Sequence, residues 1–212
     1  MKMKIKVCGL GDANQISELD QSKRIDFVGF IFYKKSSRFL NSDAKKTKYV
    51  RRVGVFVDED LEELILKISD NDLDVIQLHG NETIEYMEEL NSKIQNSSFS
   101  HVKIWKAIGI EEATDFKAIS KYENWIEYFV FDTKSNQFGG SGRTYDWTIL
   151  NKYQGNTHFF LSGGISSQMI KEIKQFNHSK CIGLDLNSGF EILPMNKNIE
   201  EIIRFTKEIN EQ

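Results

Sequence analysis

Short β-branched and aromatic runs alternate with longer amphipathic runs along the whole 212-residue chain. Eight of the short runs read as strands, at 4–8, 26–32, 52–57, 75–78, 102–107, 128–132, 158–161 and 182–186. They are apolar almost throughout rather than strictly alternating, the pattern of parallel strands covered on both faces. Helical spacing predicts a helix over 13–23, behind Asp12 as N-cap. Another follows the acidic turn Asp58-Glu59-Asp60, where Leu61, Leu64, Ile65 and Ile68 recur on one face and the acidic residues suit a helix start. Further helices are predicted over 82–93, 111–121, 147–153, 167–176 and 199–209. In the last, Ile199, Ile202, Ile203 and Ile209 make the apolar face.

Eight strands with helices between them, and no Pro- or Gly-rich linker, point to one closed (β/α)8 TIM barrel spanning 1–212 as a single α/β domain. The length lies near the lower end of that fold, so short loops are expected. Two adjacent segments, Val28-Gly29-Phe30-Ile31-Phe32 and Val53-Gly54-Val55-Phe56-Val57, echo each other as a repeated βα unit would. The alternative is a doubly wound open sheet. Its GxGxxG fingerprint would follow the first strand, and Gly9-Leu10-Gly11-Asp12-Ala13-Asn14 lacks the third glycine.

Composition narrows the function. Net charge is −3 with no block of like charge, which argues against a nucleic-acid or membrane surface as main partner. Cys8 and Cys181 are too few for a disulfide framework, and no CxxC or Cys/His ligand spacing suggests a metal site. The amino terminus lacks the apolar core of a signal peptide, and no apolar run approaches the length of a membrane helix. A cytoplasmic protein is expected, with a monomer mildly favoured because no long apolar stripe is left exposed.

In a barrel, residues at the carboxyl ends of strands face one mouth. The first predicted strand ends in Cys8, either a small buried hydrophobe or a catalytic thiol. The second leads to Arg38, a solvated charge or a carboxylate clamp. The fourth ends at His79, more often a structural residue than a catalyst. The sixth ends in Asp132, a loop cap or a proton donor. The last three lead into small-residue loops: Gly139-Gly140-Ser141-Gly142, Ser162-Gly163-Gly164, and Asp185-Leu186-Asn187-Ser188-Gly189. Glycines either permit tight turns or let backbone N–H groups approach an anion, and late barrel loops often hold phosphate. Trp105 and Phe131 read as core or pocket wall. Cys181 opens a strand at the opposite end and is expected to be buried and inert.

In this order the motifs Lys6-Val7-Cys8-Gly9, Ser36-Ser37-Arg38, Gln77-Leu78-His79-Gly80, Asp132-Thr133, Asp146-Trp147, Ser162-Gly163-Gly164-Ile165 and Asp185-Leu186-Asn187-Ser188-Gly189-Phe190-Glu191 resemble those of the phosphoribosylanthranilate isomerases. The two echoing segments also match, and the likeness spans essentially the whole chain. It implies a (β/α)8 barrel without cofactor, acting on a small phosphoribosyl substrate by an Amadori rearrangement in tryptophan biosynthesis. Carried onto this chain, Cys8 matches the general base, Asp132 the general acid, and Arg38 an arginine at the anthranilate end. Gly140, Gly142, Gly163, Gly164, Ser188 and Gly189 match the phosphate cradle, with His79 and Asp185 as further polar groups at the mouth. Such a base must be substantially thiolate when substrate is bound, and Arg38 is a candidate source of the positive charge that would favour it.

Three positions depart from the family pattern. Ser37 stands where proline is common, Asp58 where asparagine is frequent, and Asn196-Lys197-Asn198 replaces Gly-x-Lys-Asp. The alternatives are a histidine-pathway aminoaldose isomerase, which has an aspartate at the place of Cys8, and a non-catalytic barrel that binds a phosphorylated ligand.

Overall fold

Alternation along a closed sheet sends one set of side chains into the barrel and the other outward against the helices. A computed structural model of the chain, which describes residues 2–111, 114–133 and 147–211, shows both sets. Phe27, Val53, Val75, Trp105, Ala107, Val130 and Phe160 form the inner cluster. Trp105 packs edge-on to Phe27 and stacks on Phe160, each with ring centroids 4.8 Å apart. A larger outer cluster, including Ile5, Val7, Val28, Phe30 and Phe56, joins the strands to the helices.

The inner cluster is enclosed by eight parallel strands in chain order. They are β1 (Lys4–Val7), β2 (Phe27–Ile31), β3 (Arg51–Phe56), β4 (Val75–Leu78), β5 (Lys103–Ile110), β6 (Tyr128–Thr133), β7 (Phe159–Ser162) and β8 (Cys181–Leu186). β8 pairs with β1, with Lys6 opposite Asp185, and this closes the barrel. An open doubly wound sheet is thereby excluded. The echoing segments are not a repeat in register. Gly29 pairs with Val53 and Phe30 with Gly54, so the two equivalent glycines point to opposite faces.

Five α-helices are described: α1 (Ala13–Ser22), α2 (Leu61–Asn71), α3 (Ile84–Gln95), α4 (Ile170–Gln175) and α5 (Ile199–Asn210). Asp12 caps α1 by accepting the Asn14 and Gln15 N–H groups at 2.9 Å. None is long and apolar enough to cross a membrane. The helix predicted over 111–121 is reduced, among the described residues, to a 3-10 turn at Ala118–Tyr122. Side chains there take up backbone groups: Thr114 Oγ1 accepts the Glu111 N–H at 2.7 Å, and Asp115 accepts the Lys117 N–H at 2.9 Å. The helix predicted over 147–153 is likewise a 3-10 turn, Trp147–Lys152. A small antiparallel pair absent from the sequence reading follows β8: β9 (Glu191–Leu193) and β10 (Asn196–Lys197).

Residues 32–50, between β2 and β3, form no helix. Asp20 of α1 secures their far end, its carboxylate accepting the Lys48, Tyr49 and Val50 N–H groups at 2.7–2.9 Å. Asn71 of α2 accepts the Ala44 N–H at 2.7 Å. Asp20→Ala leaves three N–H groups without this acceptor and should lower stability by about 1–3 kcal/mol in urea unfolding. An unchanged midpoint would show that the connection is held by its apolar contacts alone.

Candidate active site

The mouth is built outward from β1. Because alternate residues share a face, Lys6 and Cys8 both point inward, toward Gly29 of β2. A Cβ at Gly29 would stand 2.9 Å from Cys8 Sγ and 3.2 Å from Lys6 Cε. Glycine therefore leaves the hollow that the thiol and the lysine share. Lys6 is wholly buried, and its Nζ donates to both oxygens of Asp185 at 2.8 and 2.9 Å, with Asp185 only 6% exposed. Burial pushes the Cys8 thiol up, and the Lys6 ammonium works against that rise. Burial likewise pushes Asp185 up against the pull of Lys6, and the Asp132 charge adds to the rise. For Lys6 itself burial acts downward, but Asp185 and Cys8 together outweigh it and hold the ammonium above its ordinary range.

His79 follows β4 and brings Nε2 to 3.9 Å from Asp132 Oδ2 on β6, an electrostatic contact beyond hydrogen-bond length. Burial lowers the His79 pKa, and the cations Lys106 and Lys6 lower it further, which favours neutral imidazole. The loop carrying His79 is fixed from beneath. Buried Glu82 accepts the Gly80 and Asp58 N–H groups and pairs with Lys106 Nζ at 3.1 Å. Lys106 also donates to the Gly80 carbonyl at 2.8 Å.

Arg38 is engaged by Glu191 of β9. Its Nε donates to the two carboxylate oxygens at 2.8 and 3.0 Å, and Nη2 donates at 2.6 Å. Glu191 also accepts from Lys197 Nζ at 2.7 Å, and Lys197 donates to Asn187 Oδ1 at 2.7 Å. The β9–β10 pair is thus fastened to the connection after β2. Among the cations, Lys6 bears most strongly on the Cys8 thiol and Lys197 also acts on it, while Arg38, engaged by Glu191, is coupled to it as well. Within the departing segment Asn196-Lys197-Asn198, Lys197 makes the buried pair and Asn198 caps α5 by accepting the Glu201 N–H at 3.2 Å.

The loops after β7 and β8 interlock. Gly163 and Gly164 take left-handed backbone angles, φ 94° and 64°, which glycine adopts without strain. Gly189, in the short turn Ser188–Phe190, lies against the first loop so closely that a Cβ there would be 2.1 Å from the Ile165 carbonyl oxygen. This brings the loops of Gly163, Gly164, Ser188 and Gly189 into one patch. Gly140 and Gly142 lie outside the described residues. Cys181 is half-buried at the far end of β8, its thiol pushed up to about 12 by burial.

Sequence reasoning passed over Lys6, Glu191 and Lys197. The signal for Lys6 was its spacing of two from Cys8. Glu191 stood inside a quoted motif without a role. Burial pushes the Glu191 carboxyl up, but hydrogen bonds from Arg38 and Lys197 overcome it and hold it at about 2, below its ordinary 4.5. A depressed carboxyl stabilises the fold above its ordinary value and loses that contribution as pH falls through the folded one. Glu191→Gln should therefore lower the urea midpoint near neutral pH, and the gap to wild type should narrow from about pH 4.5 toward pH 2. A gap constant with pH would contradict this.

Comparisons with known proteins agree with the geometry. The profile of the family described as N-(5'phosphoribosyl)anthranilate (PRA) isomerase matches residues 5–208. N-(5'-phosphoribosyl)anthranilate isomerase of Parabacteroides distasonis is 39% identical, the match covering 98% of this chain and 93% of that protein. The Phocaeicola vulgatus enzyme of the same name is 35% identical over 99% of both. Among solved structures, phosphoribosyl anthranilate isomerase from Thermotoga maritima superimposes with a TM-score of 0.79 at 28% identity, covering 98% of both chains. Another phosphoribosyl anthranilate isomerase, in complex with reduced 1-(o-carboxyphenylamino)-1-deoxyribulose 5-phosphate, gives 0.76 at 25% identity over 98% of both chains. With its barrel, its strand-end thiol and carboxylate, and a family match along nearly its full length, this chain belongs to the N-(5'-phosphoribosyl)anthranilate isomerase family.

Proposed function

We infer that this chain catalyses the Amadori rearrangement of N-(5-phosphoribosyl)anthranilate to 1-(2-carboxyphenylamino)-1-deoxyribulose 5-phosphate, an aldose-to-ketose isomerisation in tryptophan biosynthesis. The observation that carries this reading is the family match along almost the whole chain, in a barrel with Cys8 directly after its first strand and Asp132 next to last in its sixth. The chain works in the cytoplasm on a small molecule, without nucleic acid or membrane as partner.

Asp132 is the general acid. It gives a proton to the ribose ring oxygen as the C1–O bond breaks, and the lone pair of the anilino nitrogen forms the C1=N iminium. Cys8 as thiolate is the general base. It takes the C2 proton, the C–H electrons become the C1=C2 bond, and the iminium pair returns to nitrogen. A proton gained at C1 and one lost from the C2 hydroxyl complete the ketone, so the reaction balances without a redox partner. The loops of Gly163, Gly164, Ser188 and Gly189, with Gly140 and Gly142, hold the phosphate through backbone N–H groups and the serine hydroxyl. Arg38, oriented by Glu191, stands for the anthranilate carboxylate. His79 and Asp185 line the mouth. His79, favoured neutral, stands beside Asp132 without adding a full positive charge.

The test is a fluorescence assay following loss of phosphoribosylanthranilate. Wild type should turn it over, and Cys8→Ala and Asp132→Asn should each lose about 10²–10⁴-fold in kcat. Full activity in either variant would remove that residue from its role. No turnover by folded wild type would leave the phosphate-binding barrel as the better reading.

A further inference from the structure

A buried thiol is a poor base. Removing Cys8 from water, to 5% exposure, favours the neutral SH form. The proton abstraction assigned to it requires the opposite. The positive charge that bears most strongly on it is Lys6, two residues back on the same strand face and over the same hollow at Gly29. Two N–H groups of Lys6 are directed at Asp185, while its Cε and the Cys8 sulfur lie over one hollow, within 3.2 Å and 2.9 Å of where a Gly29 Cβ would stand. The other charged groups that reach the thiol are Asp185 from β8, Lys197 from β10 and, weakly, Arg38 from the connection after β2. Asp132 and His79 face Asp185 from β6 and β4.

Closing β1 against β8 does not need these charges. Burying both members of an ion pair costs solvation that their attraction only partly returns, and well-packed apolar residues often do as well. An ammonium fixed by a bidentate carboxylate and sharing its hollow with a thiol has a different use. We propose that Lys6 is a positioning residue for the isomerisation: held by Asp185, it stabilises the Cys8 thiolate that removes the C2 proton. Asp185 acts in two senses. It keeps Lys6 charged and aimed, and its own negative charge opposes the thiolate. The inference rests on Cys8 being the general base.

This arrangement makes the two partners of one ion pair act in opposite directions. A structural pair would make them act alike. On a Cys181→Ser background, the Cys8 thiol can be titrated by ultraviolet thiolate absorbance and by its rate of reaction with methyl methanethiosulfonate across pH. Lys6→Met should raise the midpoint by a unit or more, slowing the reaction near neutral pH about tenfold. Asp185→Asn should lower the midpoint. In Lys6→Met the acid limb of kcat/KM should move up with the thiol, and kcat should fall with KM little changed.

Should Lys6→Met not fold, Lys6→Met/Asp185→Asn removes both charges together, and its midpoint should lie above that of Asp185→Asn. Shifts of the same sign in the two single variants, no shift in Lys6→Met, or a double-variant midpoint at or below that of Asp185→Asn would overturn the proposal. Full activity of Cys8→Ala would instead overturn the reading on which it rests.

Discussion

The barrel closes where β8 meets β1, and at that seam Lys6 and Asp185 sit opposite each other, out of water. Much of the mouth refers to this contact. The register that pairs these residues places Cys8 one inward step further up β1. The bidentate pair fixes the ammonium beside the thiol. The absence of a side chain at Gly29 makes room for both. An interior pair of charges is a poor choice for stability alone, since each ion forfeits several kcal/mol of hydration on burial. Its position beside the strand-end thiol gives it a chemical purpose.

Around that seam the mouth is fastened in three places. Arg38, Glu191 and Lys197 tie the β9–β10 pair to the connection after β2. Lys106 and Glu82 fix the loop that carries His79. Backbone packing of Gly189 on Ile165 locks the loops after β7 and β8 together. Each holds a different connection, so a polar mouth is fastened onto an apolar barrel interior of Phe27, Trp105 and Phe160. Fastening of this kind preorganises a site for acid–base chemistry, because the groups need not reorient when charge develops.

Most of the barrel was legible in the sequence because parallel strands are buried on both faces and read as continuous apolar runs. Lys6 is concealed in a different way: Lys4-Ile5-Lys6-Val7-Cys8 alternates, and a lysine in an alternating run reads as solvent-facing although it shares its face with Cys8. The β9–β10 pair was invisible for another reason. Strands of three and two residues around Pro194 are too short for any period to register. The helix expected over 111–121 gave way to local side-chain bonds of Thr114 and Asp115, which compete with helical ones. Arg38 is bonded to a partner 153 positions away in the chain, a pairing no local pattern encodes.

In the proposed function, Cys8 and Asp132 flank the reacting carbons while the late glycine loops hold the phosphate. The most direct measurement is a crystal structure of this chain with reduced 1-(o-carboxyphenylamino)-1-deoxyribulose 5-phosphate. The phosphate is expected on the backbone of Gly163, Gly164 and Gly189, with C2 facing Cys8 Sγ and Asp132 toward the oxygen that closed the ribose ring. A ligand with its phosphate elsewhere, or with C2 turned away from the thiol, would contradict it.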